Sequence, residues 1–135
     1  AFEYWKQAAE LGNVVAHNNL GSMYYNGHGV EKDEEKAIHH FEKAAIGGHP
    51  MARHNLAIIE GTNGNLERAA KHFIIAANLG HEDSMKELWK YYSAGYITKE
   101  KLESTLRTHK AAIDAAKSPQ REAAEEVWRE RERGT

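Results

Sequence analysis

The stretch that decides the fold is residues 16–48, AHNNLGSMYYNGHGVEKDEEKAIHHFEKAAIGG. In its first part Ala16 and Leu20 begin a series of small and apolar residues at helical spacing, and a glycine-containing turn follows. Its second part begins at Asp33 and carries an aromatic residue followed by an alanine pair. This pattern predicts two helices joined by a turn, with Asp33 as the N-cap of the second.

The flanking residues repeat this pattern. A shift of 36 positions replaces Ala16 and Leu20 by Ala52 and Leu56. The second helix recurs 32 positions later and 36 positions earlier, which gives three equivalent sets: Asp33, Ala37, Phe41, Ala44, Ala45 and Gly48; Asn65, Ala69, Phe73, Ala76, Ala77 and Gly80; and Ala1, Trp5, Ala8, Ala9 and Gly12. A period in the thirties that is built from two helices is typical of a helical repeat array.

The array is expected to form one domain over residues 1–135. We divide it into a partial repeat (1–14), a full repeat (15–48), a shortened repeat (49–80), a divergent terminal repeat (81–117) and a charged C-terminal helix (118–135). In the terminal repeat His109 and Lys110 replace the alanine pair, so we expect no further repeat to stack there. Ser118-Pro119 resembles a cap followed by proline at the first helical position, which predicts a separate last helix that caps the array or frays.

Composition excludes several classes of function. The formal net charge of −2 argues against a protein that binds nucleic acid or anionic membranes through bulk charge. The chain has no cysteine, which excludes disulfides and cysteine-based zinc sites. No apolar run reaches the roughly 18–20 residues that span a bilayer. A cytoplasmic location is favoured, although the chain begins at Ala1 and we expect it to be part of a longer protein.

The full repeat resembles the Sel1-like repeat (SLR) family, a relative of the tetratricopeptide repeats. Fifteen positions match that family's pattern in one register: Ala16, Leu20, Gly21, Tyr24, Gly27, Gly29, Val30, Asp33, Lys36, Ala37, Phe41, Lys43, Ala44, Ala45 and Gly48. The next repeat departs from it, since Ala57 replaces the glycine and Glu60 the tyrosine. The shortened repeat and the closing run 95–107 also resemble a subgroup of eukaryotic microalgal proteins, in which the repeats often end a longer chain.

The resemblance implies a fold and a role. The expected fold is an all-α, α/α solenoid with a right-handed superhelical turn, made of SLR/TPR-like helix pairs. The expected role is that of a non-enzymatic adaptor or scaffold that binds proteins. Some cysteine-rich bacterial members have been credited with β-lactam binding or hydrolysis; that activity is a remote alternative here, because this chain has no cysteine.

The residues themselves predict neither a catalytic nor a metal site, and no cofactor. His40 and His72 occupy equivalent repeat positions, as do His49 and His81, so repetition explains four of the nine histidines. No two histidines have the i, i+4 spacing of a helical metal site, and packing between helices is the favoured interpretation. Adjacent carboxylates lie at predicted helix starts or on a solvated face, and no serine has an evident histidine and acid partner.

The sequence pattern supports a protein-binding face on the first helices of the repeats. In a solenoid the first helices of successive repeats line the concave side. The residues turned away from the Leu20, Leu56 and Leu88 stripe are polar with two apolar anchors, and we predict that they bind a peptide or protein with an acidic portion: Asn18, Asn19, Ser22, Tyr25, His54, Asn55, Ile58, Lys86 and Lys90.

The ends of the array offer an alternative. A self-associating scaffold could use the apolar face of Trp5, which lacks a preceding helix, or Val127 and Trp128 on the last helix. For Trp128 we favour docking onto the array over self-association. No nucleic acid or membrane partner is predicted.

Overall fold

The computed structural model describes residues 1–134, so Thr135, the last residue of the predicted C-terminal helix, lies outside the described residues. Those residues form helices and connecting turns without any strand. The helices are α1 (Phe2–Glu10), α2 (Val14–Asn26), α3 (Glu34–Ile46), α4 (Pro50–Thr62), α5 (Leu66–Asn78), α6 (Glu82–Ser93) and α7 (Lys99–Arg133). None of these helices is both long and apolar enough to cross a membrane.

Local signals set most helix ends. The side chain of Asp33 accepts a hydrogen bond from the Lys36 N–H at 3.1 Å, which confirms the predicted cap of α3. Gly27 ends α2 with φ at +73°, a left-handed conformation that a side chain would strain. Asn65, the counterpart of Asp33, stands at the N-cap position of α5, but its side chain makes no cap bond, and its amide donates to the Glu60 carboxylate at 2.9 Å. The equivalence of Asn65 with Asp33 therefore does not extend to the cap bond.

The helices stack in the order of the chain. The main contacts join each helix to the next from α1 to α6, and α7 packs against α5 and α6. Contacts that link only near neighbours are the signature of a solenoid. The alanine pairs Ala44-Ala45 and Ala76-Ala77 are all buried, and their small side chains let adjacent helices approach closely. The predicted all-α solenoid is confirmed.

An aromatic side chain fills the space between the two helices of each complete repeat. Phe41 and Phe73 are 2% and 1% exposed. Phe41 belongs to a cluster with residues of α3 and α4, and Phe73 to a cluster with residues of α4 to α7. Separate clusters follow one another along the array and each joins neighbouring helices, so the stability of the array depends on contacts between those helices.

The N-terminal helix α1 packs on α2. Ala9 is buried with Ala16 and Leu20, and Trp5 is half-buried against this cluster. The residue that α1 leaves most open among its aromatics is Tyr4, at 67% exposure. On the predicted uncovered face of α1, Tyr4 is therefore more exposed than Trp5.

The C-terminal segment differs from the prediction. A single helix, α7, runs from Lys99 to Arg133 with Pro119 inside it, so no new helix begins at Ser118-Pro119. Residues 111–118 contain no glycine and include four alanines, so nothing ends the helix before the proline. Pro119 removes one backbone donor, and its position on an exposed helix lets water satisfy the freed carbonyl.

The first part of α7, not residues 118–135, closes the array. Leu102, Thr105 and His109 are buried against the preceding helices. His109 Nδ1 donates to the Ala77 carbonyl at 2.9 Å, so the histidine that replaces an alanine ties α7 to α5. From Asp114 onward every described residue is exposed, Trp128 to 66%, so the expected docking of Trp128 onto the array is wrong.

Candidate functional site

The first helices α2, α4 and α6 carry the nine residues predicted to form a binding face. Four of the nine line one cleft between α2 and α4, with a volume of about 220 Å³: Ser22, Tyr25, Asn55 and Ile58. Phe41 and Ile59 form its apolar floor, and Asn26 completes the rim. The structure therefore brings together an apolar base, hydroxyl and amide groups, and the partly exposed Ile58.

Asn18 does not face solvent as predicted. It is 8% exposed, and its side-chain oxygen accepts a hydrogen bond from the Asn55 amide at 3.1 Å. This bond joins α2 to α4 across the repeat boundary. The prediction failed because a residue opposite the Leu20 stripe still meets the first helix of the next repeat, which a helical wheel of one helix does not show.

His54 performs the same kind of link between α4 and α6. Its Nδ1 lies 2.7 Å from the Ser84 hydroxyl, and its ring packs at 5.2 Å from the Phe73 ring and at 4.7 Å from the His81 ring. Burial lowers the pKa of His54, so the ring is neutral at pH 7. His54 is thus a half-buried packing residue and offers little surface to a partner.

Ser84 has two histidine neighbours, which sequence inspection missed. His81 Nδ1 accepts from the Ser84 backbone N–H at 3.2 Å and lies 3.0 Å from the Ser84 hydroxyl. With His81 Nδ1 as acceptor, the hydroxyl donates to His81 and accepts from the His54 ring. Ser84 is fully buried, so the arrangement caps α6 and gives a substrate no access to the hydroxyl.

The remaining predicted residues lie apart from the cleft. Asn19 is half-buried, and Lys86 and Lys90 are exposed on α6. The Lys90 ammonium pairs with Glu87 at 3.2 Å on the same helix. Lys90 also borders a separate, mainly apolar cleft of about 240 Å³ between α6 and the start of α5. Both lysines were predicted to attract an acidic partner. Unlike Lys90, Lys86 takes part in none of the ion pairs described within residues 1–134.

A larger cleft lies on the other side of the array and was not predicted. It measures about 410 Å³ and lies between α5 and the turn into α7, where it is lined by Lys71, Ile74, Tyr96, Ile97 and other residues. The signal available in the sequence was Tyr96-Ile97, two apolar residues in a turn outside the repeat pattern.

Histidines also link helices within a repeat. His17 Nδ1 and His40 Nδ1 lie 3.0 Å apart, and the His40 ring stacks on Tyr24 with centroids 5.7 Å apart. Burial and the neighbouring His17 and His39 lower the pKa of His40 to about 4, so the pair shares one hydrogen bond between neutral rings at pH 7. Within residues 1–134 no three metal-ligating side chains are grouped so that they could hold an ion.

The segments that match a known protein family have the same period as the helix pairs. The sequence profile of the Sel1 repeat matches residues 1–13, 14–49 and 50–81, more than half of the chain. The chain belongs to the Sel1 repeat family. Sel1 repeat proteins generally serve as protein-interaction scaffolds, and membership points to a non-catalytic role.

Two related sequences come from Schizosaccharomyces pombe. Chitin synthase regulatory factor 4 is 31% identical over 86 residues, which cover 63% of this chain and 14% of that protein. Chitin synthase regulatory factor 2 is 39% identical over 59 residues, which cover 44% of this chain and 12% of that protein. The aligned residues thus span less than one sixth of the length of either relative.

Two solved structures share the fold. The Sel1 repeat protein from Oxalobacter formigenes superposes with a TM-score of 0.70 at 26% identity, over 82% of this chain and 48% of that chain. Protein c5321, a protective antigen of uropathogenic Escherichia coli with an SLR fold, gives a TM-score of 0.69 at 26% identity, over 82% and 25% of the two chains. Both are solenoids of the Sel1 repeat type.

Proposed function

We propose that this Sel1 repeat array is a non-enzymatic adaptor that binds a protein or peptide segment through the cleft between α2 and α4. The observation that carries the proposal is the convergence of Ser22, Tyr25, Asn55 and Ile58 on one cleft. The adaptor role is supported by the general behaviour of the family, and the relatives described as regulatory factors are consistent with it.

The size of the cleft argues for a side chain as its occupant. At about 220 Å³ it lies below the range of about 300–1,000 Å³ that is usual for small-molecule sites. An apolar floor with a polar rim suits an apolar side chain of a partner whose backbone hydrogen-bonds to Ser22, Asn26 or Asn55. Lys86, which is exposed on the following first helix α6, would attract an acidic residue of the same segment.

The proposal excludes Asn18 and His54 as contact residues. Both are committed to bonds between first helices, so they shape the cleft and do not compete for the partner. The buried Ser84 hydroxyl likewise argues against the remote β-lactam alternative, because an acylating serine must reach its substrate.

A matched pair of isoleucine substitutions tests the cleft. Ile58 on α4 and Ile75 on α5 are 39% and 41% exposed, so Ile58→Arg and Ile75→Arg change comparable surfaces on different sides of the array. Peptides selected from a displayed library against the unmodified chain should lose at least about tenfold in affinity for Ile58→Arg, since truncating or charging a buried anchor costs more than about 1.4 kcal/mol. They should bind Ile75→Arg normally. Equal affinity for both variants would contradict the proposal.

A further inference from the structure

The second half of α7 extends beyond the array, and none of residues 114–134 is buried. The last contacts of α7 with the array are made near Gly80, beside Ala112 and Ile113. Beyond that point residues 114–134 are all exposed, with Val127 at 50% and Trp128 at 66%. At 1.5 Å per residue this segment extends about 30 Å from the solenoid.

The apolar stripe that packs α7 against the array continues along this free segment. In the packed half Leu102, Leu106 and His109 contact α5 and α6. Alternating steps of four and three residues extend this series without a break to Ile113, Ala116, Gln120, Ala123 and Val127. An average step of 3.5 residues is the repeat of a coiled-coil seam, and only Gln120 among the added positions is polar.

The free segment is poorly suited to stand alone. Isolated helices of this length are only partly stable in water, and most helical stability in proteins comes from packing of one face. Pro119 lies within the first two turns of the segment and removes one hydrogen bond from it. The exposed seam supplies the face through which packing would stabilise the helix.

The charges along α7 are divided between its two ends. Residues 107–121 contain four basic side chains and one acidic side chain, whereas residues 122–133 contain five glutamates and three arginines. Two of those arginines, Arg129 and Arg133, are already paired with Glu126 on the same helix. A second copy laid antiparallel places the basic part of each helix beside the acidic part of the other, and a parallel copy places like charges together.

We propose that the exposed part of the seam, residues 116–127, pairs antiparallel with the same residues of a second copy of this chain. Val127 of each copy then lies opposite Ala116 of the other, and Ala123 lies opposite Gln120. Each of the four layers, two of Val127 with Ala116 and two of Ala123 with Gln120, contains an alanine, which allows the helix axes to approach at the lower end of the usual 8–10 Å. This surface is separate from the cleft between α2 and α4, so the two proposals stand independently.

Measurements of mass in solution test the pairing. Sedimentation equilibrium between about 1 and 200 μM should give a mass that rises toward twice the 15.2 kDa of the chain. Val127→Asp, which buries a charge in the seam, should raise the dissociation constant at least tenfold. Ala115→Asp adds the same charge on the opposite side of the helix and should leave the dissociation constant unchanged. A monomer at every concentration, or equal effects of the two substitutions, would overturn the proposal.

Disulfide trapping tests the orientation. The chain has no cysteine, so introduced thiols are unique. An equimolar mixture of Ala116→Cys and Val127→Cys chains under mild oxidation should give the mixed disulfide well above the half of all disulfides that random pairing produces. A mixed species at half of the product or less would overturn the antiparallel assignment. Crosslinking of the same thiols only to a different protein, when the chains are oxidised in a cell extract, would overturn the second copy as occupant.

Discussion

The two complete helix pairs, α2–α3 and α4–α5, achieve the same packing with different residues. Gly21 lies against Phe41 so closely that a Cβ on the glycine would be 2.6 Å from the ring. At the equivalent place in the second pair Ala57 is fully buried in the cluster that contains Phe73. The first pair therefore requires a glycine at the position where the second pair accommodates the methyl group of Ala57. The two pairs share the helix arrangement, but the side chains that fill the interface differ.

The polar contact between the two helices of a pair is also made by different residues in the two pairs. His17 contacts His40 between α2 and α3, and Arg53 lies 3.4 Å from His72 at the equivalent positions between α4 and α5. One link consists of two imidazole rings that are neutral at pH 7, whereas the other includes a permanent cation. The two pairs should therefore respond differently to substitution and to pH.

Removal of the aromatic side chains should have the largest effect. Phe73→Ala should lower the free energy of unfolding by about 3–5 kcal/mol, because it leaves a cavity in a closed core. Phe41→Ala should cost about 1 kcal/mol less, since Phe73 also makes edge-on contacts with the rings of His54 and Tyr91. Urea denaturation of both variants measures the difference. Equal losses would show that the ring contacts add nothing to burial.

Substitutions at Gly21 and at the equivalent Ala57 should have the next largest effect on stability. Gly21→Ala should destabilise by about 1–2 kcal/mol, because overpacking against Phe41 outweighs the gain in helix propensity. The reverse change, Ala57→Gly, should also destabilise, by about 1 kcal/mol, because glycine is unfavourable inside a helix. In a double-mutant cycle Phe41→Leu should reduce the cost of Gly21→Ala, and strictly additive losses would contradict the proposed clash.

Acidification should weaken the first pair through His40. Its folded-state pKa of about 4 lies below the ordinary 6.5, so the unfolded chain binds the proton first. Stability present at pH 7 is therefore lost as the pH falls from about 6.5 to 4, by about 1–2 kcal/mol because the partly exposed ring is screened by water. His40→Gln should remove that part of the pH dependence in thermal unfolding, and His28→Gln, at an exposed histidine in the turn after α2, serves as the control.

The helix caps should give the smallest effects and again differ between the pairs. Asp33→Ala should cost about 1 kcal/mol, because it removes the acceptor of the Lys36 N–H. Asn65→Ala should cost a few tenths of a kcal/mol at most, because that side chain caps nothing and its bond to Glu60 is exposed. Chemical denaturation of the two variants provides the comparison, and a larger loss at Asn65 would contradict it.

The sequence was sufficient for the parts of the fold that depend on local or repeated signals. The alanine pairs and aromatic residues recur in phase, so each repeat supports the assignment of the others. Asp33 and Gly27 mark helix ends through interactions that span only a few residues. These features predicted the stack of helices without knowledge of any tertiary contact.

The sequence was insufficient where a third helix decides the environment. A first helix in a solenoid contacts its own partner and both neighbouring repeats, so Asn18 is buried although it lies opposite Leu20. Proline is common at the start of a helix, and Pro119 therefore suggested a boundary that the uninterrupted alanine-rich segment before it does not provide. The cleft residues Ser22 and Ile58 were placed together because they lie at the same position of successive repeats.

The bonds from Asn55 to Asn18 and from His54 to Ser84 have a consequence for redesign of the array. These polar ties fix the spacing between successive first helices and leave Ser22, Tyr25 and Ile58 free of that task. A library of variants aimed at new ligands should therefore randomise the latter three positions and keep the tied residues intact. The variants would then bind different ligands while the distance between successive first helices stays constant.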